Sequence, residues 1–156
     1  NPYLFFEHKY LYRSLKGPVV EDYHTMEIGK AQVALKGSRL TIVTYGMGVH
    51  WALEASKTVD GLEIIDLCTL MPWDKETVSA SVKKTNKSLV FHEDCITGGI
   101  GAEIAAWIGA HCFEDLDAPV LRVGSLDTPV PFSNALEQIF LPQQRLLEQL
   151  DYLLKY

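Results

Sequence analysis

From residue 40 onwards, short runs of aliphatic and β-branched residues alternate with longer segments whose apolar residues recur at helical spacing. The short runs predict strands over residues 40–44, 62–67, 88–91 and 119–123. The longer segments predict helices over residues 46–59, 74–84, 98–112 and 141–156. A strand followed by a crossover helix leads to a parallel neighbour, and such sheets carry helices on both faces. This pattern predicts an α/β fold, a three-layer sandwich with a mainly parallel sheet covered by helices on both faces.

The first 38 residues lack this regular alternation. Residues 2–11 are aromatic and apolar, which predicts a short buried strand. Residues 13–38 are mostly polar and are interrupted by glycines and a proline, which predicts a connecting arm. The chain begins at Asn1 and enters an apolar run at once, so we expect a fragment of a longer protein. We predict that residues 1–12 end a preceding domain and that residues 39–156 form the α/β domain.

Composition and charge exclude several classes of protein. Hydrophobic residues make up 47% of the 156 residues and charged residues 22%, as in ordinary globular domains. No apolar run approaches the roughly 20 residues of a membrane-spanning helix, so no membrane partner is predicted. The formal net charge of −6 argues against a nucleic-acid partner. The three cysteines are odd in number and far apart, which argues against a disulfide framework and fits a reducing, cytoplasmic setting.

Two glycine-rich segments match phosphate-binding loops only in part. Gly46 and Gly48 follow a predicted strand and precede Asp66 by the spacing of a dinucleotide-binding fingerprint. Trp51 occupies the third glycine position, which favours a simple turn and leaves a nucleotide-binding module as the alternative. The second segment, residues 97–103, lacks the Lys-Ser/Thr pair of a phosphate loop. Its small residues continue at helical spacing, which favours close packing on the sheet or an interface formed by Gly98, Gly99, Gly101, Ala102 and Ala106.

No set of side chains in the sequence amounts to an active site. His92 is three residues from Cys95, and His111 adjoins Cys112, but a zinc site needs about four ligands that arrive in pairs. A Cys95 nucleophile with His92 as its base rests on a single neighbour. His92 and Glu93 lie at the carboxyl end of a predicted parallel strand, where such sheets bind ligands, although a hydrogen-bonded strand end is favoured. We predict no catalytic, cofactor-binding or metal-binding residue in this chain.

The charge is unevenly distributed along the chain. No Lys or Arg lies between Lys87 and Arg122. The acidic residues of this interval are Glu93, Asp94, Glu103, Glu114, Asp115 and Asp117. Such an acidic stretch is either a solvated face or a docking patch for a basic partner.

Seven groups of residues occur in an order that is typical of one protein family. They are residues 5–13 (FFEHKYLYR), 66–74 (DLCTLMPWD), 92–93 (HE), 97–104 (TGGIGAEI), 116–119 (LDAP), 122–123 (RV) and 127–132 (DTPVPF). On these residues the chain resembles the C-terminal domain of the beta subunit of thiamine-diphosphate-dependent 2-oxo acid dehydrogenases, in the transketolase superfamily. The resemblance spans essentially the whole chain and is strongest to the branched-chain (2-oxoisovalerate) branch. Cys68 departs from the family pattern, which usually has Arg there.

The resemblance implies a transketolase C-terminal-domain-like fold, preceded by a pyrimidine-binding domain whose last strand is residues 1–12. It implies oxidative decarboxylation of a branched-chain 2-oxo acid, with acyl transfer to lipoamide, by an enzyme that uses thiamine diphosphate and magnesium. Both cofactors would lie in other domains, so this chain alone is expected to bind neither. Pyruvate or acetoin dehydrogenases and other transketolase-superfamily enzymes are the alternatives, and a separate beta chain and an alpha–beta fusion are both compatible with the sequence.

The resemblance also implies three partners: an alpha subunit or fused alpha domain, a second beta subunit, and the basic peripheral subunit-binding domain of the lipoyl acyltransferase. In the family, that basic domain meets the C-terminal domains of beta subunits near their two-fold axis. We predict that Asp117 and the terminal carboxylate of Tyr156 contribute to this contact. The alternative for Asp117 is a local role in the turn before Pro119.

Overall fold

The computed structural model describes residues 2–156, and its elements follow the predicted alternation. The strands are β1 (Gln32–Leu35), β2 (Leu40–Thr44), β3 (Leu62–Asp66), β4 (Ser88–Cys95) and β5 (Leu121–Ser125). The helices are α1 (Leu11–Ser14), α2 (Met47–Ala55), α3 (Lys75–Thr85), α4 (Gly101–His111), α5 (Asn134–Phe140) and α6 (Gln143–Leu153). A short 3-10 turn, Phe113–Asp115, follows α4.

The five strands form one sheet in the order β1-β3-β2-β4-β5. Four of them are parallel, and β1 pairs with β3 in the antiparallel direction at one edge. All five residues of the central strand β2 are buried. Burial on both sides is expected when helices cover both faces of a parallel sheet, and it explains why this strand is a continuous apolar and β-branched run.

Two hydrophobic cores lie on opposite faces of the sheet. Side chains of α2 and α6 pack on one face, which presents Ile42, Ile64 and Phe91. Side chains of α3 and α4 pack on the other, which presents Val43 and Ile65. Neighbouring residues of β2 and β3 therefore point to opposite cores, as the period of two along a strand requires. The predicted three-layer α/β sandwich is confirmed.

The boundaries of α3 show how the sequence sets a helix. The Asp74 carboxylate accepts a hydrogen bond from the Thr77 backbone N–H at 3.0 Å, which caps the first turn. Asn86 ends the helix with a left-handed φ of 58°, a conformation that Asn tolerates better than most residues. The prediction of Asp74 as an N-cap and of a helix over residues 74–84 agrees with the structure to within one residue.

Three parts of the sequence prediction were wrong in detail. The predicted strand over residues 2–11 is not formed, because no neighbouring strand pairs with this segment among the described residues. Its aromatic side chains are exposed, and Asn1 lies outside the described residues. The predicted arm contains β1, so the sheet begins before the boundary at residue 39. Helix α5 was missed, since its apolar side chains do not form a buried stripe.

No helix within residues 2–156 combines the length and the apolar character needed to cross a bilayer. This agrees with the short apolar runs of the sequence.

Candidate functional site

The parallel strands β2, β3, β4 and β5 all end on the same side of the sheet. We call this row of carboxyl-terminal strand ends the carboxyl edge. His92, near the end of β4, is fully buried there. Its Nδ1 donates a hydrogen bond to the carbonyl oxygen of Asp94 at 3.0 Å, whereas its Nε2 has no hydrogen-bond partner within residues 2–156. His92 is therefore a structural strand end, with its imidazole tautomer set by the Asp94 carbonyl.

The glycine loop, residues 97–101, closes over the His92 ring. A Cβ on Gly101 would lie 2.2 Å from His92 Nε2, so only glycine allows α4 to approach the ring this closely. A Cβ on Gly124, in β5, would lie 2.8 Å from His92 Cε1, and one on Gly99 would lie 2.6 Å from the Cys95 carbonyl oxygen. Close packing thus accounts for Gly99 and Gly101. Gly98, in contrast, is exposed and has a φ of 80°.

Burial keeps two titratable groups, His92 and Tyr45, neutral. It lowers the pKa of His92, and the nearby Arg122 charge acts in the same direction, while Asp94 partly opposes both. Tyr45 stacks on the imidazole with ring centroids 6.2 Å apart and an interplanar angle of 12°. Burial, followed by the charges of Asp94 and Glu93, raises the pKa of Tyr45 to about 12. At neutral pH this edge therefore holds an uncharged imidazole beside an uncharged phenol.

We expect the lowered pKa of His92 to make the fold sensitive to mild acid. An unfolded His92 titrates near 6.5, above its folded pKa, so its contribution to stability is complete above pH 6.5 and declines as the pH falls towards the folded value. Urea unfolding at pH 8 and pH 5.5 should therefore show a larger loss of stability for the parent than for His92→Asn. The remaining histidines are common to both proteins and cancel in the difference. Equal losses in parent and variant would contradict the prediction.

Three groups of side-chain contacts that the sequence did not predict stabilise the carboxyl edge. The carboxylate of Asp127 accepts hydrogen bonds from the Thr97 backbone N–H at 2.9 Å and from its hydroxyl at 2.7 Å. These two bonds lower the pKa of Asp127. His8 Nε2 lies 2.9 Å from the Glu93 carboxylate and links the N-terminal segment to β4. Arg145 donates to the carbonyl oxygens of residues 124, 139 and 140.

A signal for one of these contacts exists in the sequence. Thr97 and Asp127 each follow a strand, and adjacent parallel strands bring such residues to the same end of the sheet. The contact between His8 and Glu93 has no comparable signal, because the two residues are 85 positions apart and His8 lies in no strand. The bonds between Thr97 and Asp127 join two loops, whereas His8 ties the N-terminal segment to β4 and Arg145 ties α6 to β5 and α5.

The predicted interface residues of helix α4 lie in two different environments. Gly101, Ile104 and Ile108 are buried against the sheet. Ala102 is half-buried and Ala106 is exposed on the outer face of α4. Packing on the sheet therefore explains Gly101, while an interface for Ala102 and Ala106 stays a prediction.

Because Ala106 is exposed, Ala106→Leu should change the free energy of unfolding of this chain by no more than about 0.5 kcal/mol. In an assembly where another backbone contacts α4, the added side chain should overpack the contact and weaken association. Urea unfolding together with sedimentation velocity separates the two effects. Ala135→Leu, at an exposed position in α5, is the control. Unchanged association for Ala106→Leu in the assembled protein would show that the face is open to water.

Asp117 lies at the opposite end of the sheet from His92, because its backbone N–H donates to the carbonyl oxygen of Asn86, just before β4, at 2.8 Å. Tyr156 lies three residues beyond the end of α6. Both residues are exposed, as a docking contact requires. Their role in docking stays a prediction.

The remaining cysteine and histidine candidates have separate, local partners. Cys95 Sγ donates to the Leu126 carbonyl oxygen at 3.3 Å rather than pairing with His92. His111 Nδ1 bonds the Trp107 carbonyl oxygen, and Cys112 is buried. Burial, followed by the charge of Asp66, raises the pKa of Cys68 to about 11, so this residue is a neutral thiol. Within residues 2–156, no group of three His, Cys, Asp or Glu side chains could hold a metal ion.

The glycines of the first glycine-rich segment also serve local structure. Gly46 caps α2 with a φ of 56°. A Cβ on Gly48 would lie 2.2 Å from the Thr44 hydroxyl, so glycine is needed there for the close approach of α2 to β2. The Asp66 carboxylate accepts the Cys68 backbone N–H at 3.0 Å. This arrangement favours the simple turn over a dinucleotide site.

Comparison with known proteins gives the same assignment as the motifs. The family description "Transketolase, C-terminal domain" matches residues 29–146. The chain belongs to the transketolase C-terminal domain family. The match includes β1, which agrees with a sheet that begins before residue 39. The resemblance identified from the sequence is thus confirmed.

Several beta subunits are similar to this transketolase C-terminal domain. The 2-oxoisovalerate dehydrogenase subunit beta of Bacillus subtilis (strain 168) is 42% identical over 90% of this chain and 45% of its own length. The 2-oxoisovalerate dehydrogenase subunit beta 2, mitochondrial, of Arabidopsis thaliana is 44% identical over 91% of this chain and 40% of its own. The pyruvate dehydrogenase E1 component subunit beta of Bacillus subtilis (strain 168) is 42% identical over 93% of this chain and 46% of its own length. The chain thus spans less than half the length of these relatives.

Solved structures share the fold. A split-gene transketolase, described as an inactive beta4 tetramer, has a TM-score of 0.72 and 25% identity, and the match covers 89% of this chain and 46% of that one. A 2-oxoglutarate:ferredoxin oxidoreductase from Magnetococcus marinus has a TM-score of 0.51 at 14% identity, over 85% of this chain and 20% of that one. The second likeness concerns the fold alone.

Proposed function

We propose that this chain is the C-terminal domain of the beta subunit of a thiamine-diphosphate-dependent 2-oxo acid dehydrogenase, and that it serves assembly and docking. The observation that carries the proposal is the identity of 42–44% to beta subunits over about nine-tenths of the chain. The closed carboxyl edge supports a role other than catalysis. His92 is packed between glycines there, and Asp127 and Thr97 bind each other.

We propose that thiamine diphosphate and magnesium bind in other parts of the full enzyme. A diphosphate is often bound by backbone N–H groups at a helix N-terminus, and in the first turn of α4 Gly101 packs against the His92 ring. Magnesium needs converging oxygen ligands, and residues 2–156 contain no group of three His, Cys, Asp or Glu side chains that could hold a metal ion. We assign no reaction step to this chain.

We further propose a branched-chain 2-oxo acid as the substrate of the full enzyme, with acyl transfer to lipoamide. The similarity to two 2-oxoisovalerate dehydrogenase beta subunits supports this choice. Pyruvate is the second candidate, because pyruvate dehydrogenase beta subunits reach the same identity. The proposed setting is the cytoplasm, a reducing compartment, which is consistent with three free cysteines.

A chimeric enzyme tests the proposed role. The C-terminal part of the Bacillus subtilis 2-oxoisovalerate dehydrogenase beta subunit is replaced by residues 29–156, and the chimera is co-expressed with the alpha subunit. We expect the chimera to assemble and to decarboxylate 3-methyl-2-oxobutanoate, because the proposed domain supplies contacts and no catalytic group. A second chimera that carries the split-gene transketolase domain is the control for family-specific contacts. A folded chimera that fails to assemble would contradict the proposal.

The proposed partners are an alpha subunit or fused alpha domain, a second beta subunit and the basic peripheral subunit-binding domain. For the last of these, Asp117→Asn should weaken binding and reduce its salt dependence, because a carboxylate facing Arg or Lys contributes through charge. The assembled enzyme is titrated with the basic domain at two salt concentrations, with Asp151→Asn as a control on the exposed side of α6. The same affinity and the same salt slope as the parent would remove Asp117 from the contact.

A further inference from the structure

An open groove of about 420 Å³ lies between α3 and α4 on the outer surface of the domain. Its walls are formed by Lys75, Glu76, Ser79, Ala80 and Lys83 of α3 and by Trp107 of α4. None of these side chains takes part in the contacts at the carboxyl edge. The groove therefore presents lysines, a hydroxyl and an indole together on a chain whose net charge is −6.

Lys75 occupies an unusual position in this groove. Its ammonium lies 5.7 Å from the ring centroids of both Trp73 and Trp107, and the two indoles meet edge to face at 5.1 Å. Cation–π contacts of this kind hold the ammonium in place and remove part of its water. No carboxylate lies within 4.0 Å of Lys75 among the described residues. A positioned cation without a counter-charge is thus available to an anionic group.

Two acids, Glu76 in the wall of the groove and Asp115 near Lys83, already have cationic neighbours. Glu76 Oε2 lies 3.7 Å from Lys30, and Asp115 Oδ2 lies 3.9 Å from Lys83. The Lys83 side chain is still 56% exposed, and a pair at this distance leaves its ammonium free to accept a second carboxylate. Lys75 and Lys83 are therefore the two cations that an incoming anionic ligand would meet.

The spacing of these lysines selects an extended ligand. Lys75, Ser79 and Lys83 recur every four residues on one side of α3, which places the two lysines about 12 Å apart along the helix axis. An extended peptide rises about 3.3 Å per residue, so two carboxylates four residues apart match this distance and point to the same side. We propose that the groove binds an extended acidic peptide segment of a partner protein, with one carboxylate on Lys75, one on Lys83 and an apolar side chain between them against Trp107.

A fluorescence titration of the 156-residue chain tests the proposal. The probe is the acetylated and amidated peptide Ser-Glu-Ser-Leu-Ser-Glu-Ser, in which both glutamates and the leucine share one side of an extended chain. A matched peptide carries Gln in place of both glutamates. Trp73 and Trp107 report binding, whereas Trp51 packs with the core on the other face of the sheet.

We expect the glutamate peptide to bind at least about tenfold more tightly than the Gln peptide, and added salt to weaken it. Lys75→Gln should lower the affinity about five- to tenfold, and Lys83→Gln by a smaller factor. Lys57→Gln, which changes an exposed lysine just after α2, should leave the affinity unchanged. Equal affinity for both peptides, no saturable change up to millimolar peptide, or tighter binding of a single-stranded oligonucleotide would each overturn the proposal.

Discussion

Replacing Gly101 with alanine is expected to lower the free energy of unfolding by roughly 1–3 kcal/mol. The new Cβ would lie 2.2 Å from Nε2 and 2.4 Å from Cδ2 of His92, whose ring is fully buried. The ring has little room to retreat, because Gly124 of β5 packs against it so closely that a Cβ on that residue would lie 2.8 Å from the ring atom Cε1. Equilibrium unfolding in urea, followed by circular dichroism, measures the loss.

Gly109→Ala is the matched control because it lies in the same helix and nothing is within 4 Å of a Cβ built there. Alanine is a better helix former than glycine, so this variant should be more stable than the parent by up to about 1 kcal/mol. The double variant Gly101→Ala/His92→Ala identifies the cause, since the added methyl should cost much less once the ring is gone. If Gly101→Ala unfolds at the same urea concentration as the parent, the His92 ring does not constrain α4.

Glu63→Ala is expected to have the second large effect, a loss of roughly 2–4 kcal/mol. Glu63 is 3% exposed on β3, and its carboxylate accepts hydrogen bonds from the Ser81 hydroxyl at 2.6 Å, the Gly37 N–H at 3.2 Å and the Lys84 ammonium. Removal of the acceptor leaves the buried Ser81 donor without this partner. The loss is below the value for a fully buried ion pair, because Lys84 is half-exposed and can turn to water.

The control for Glu63 is Glu54→Ala, which removes an exposed ion pair with Lys57 and should change stability by no more than about 0.5 kcal/mol.

The pH dependence of stability gives a second measurement of the role of Glu63. Burial raises the pKa of Glu63, but the bonds from Lys84, Ser81 and Gly37 outweigh it and lower the pKa below its usual 4.5. The stabilisation by the ionised Glu63 carboxylate is therefore present above pH 4.5 and is lost as the pH falls through the folded pKa. Glu63→Gln and the parent should therefore converge in stability on acidification. A constant difference between pH 7 and pH 3 would contradict this account.

Local patterns predicted all strands and all helices except α5 from residue 40 onwards, because each of these patterns is complete within one segment. The run at residues 40–44 is buried on both faces, and the helix after Asp74 begins at its cap. The same method was wrong for residues 2–11, where an apolar composition accompanies exposed side chains. It also missed β1, whose residues are mostly exposed and form a strand only by pairing with β3.

The family motifs named the residues of the carboxyl edge without showing how they meet. Thr97 and Asp127 belonged to two separate motifs, and their hydrogen bonds appear only when β4 and β5 lie side by side. The glycine loop was expected to pack closely, but the packing partner of Gly101 proved to be His92. Ala106 and Asp117 are exposed as an interface requires, and that exposure does not identify what covers them.

The sequence by itself determined the order of β2–β5 and of the helices α2, α3, α4 and α6, the α/β class and the family, since periodicity, capping and motifs are properties of neighbouring residues. The tertiary structure decided which distant residues share an environment. It surrounded His92 with glycines from α4 and β5, paired His8 with Glu93 across 85 positions, and placed Asp117 beside Asn86, at the opposite end of the sheet from His92. These relations depend on strand order and helix direction, which only the packing of the complete sheet establishes.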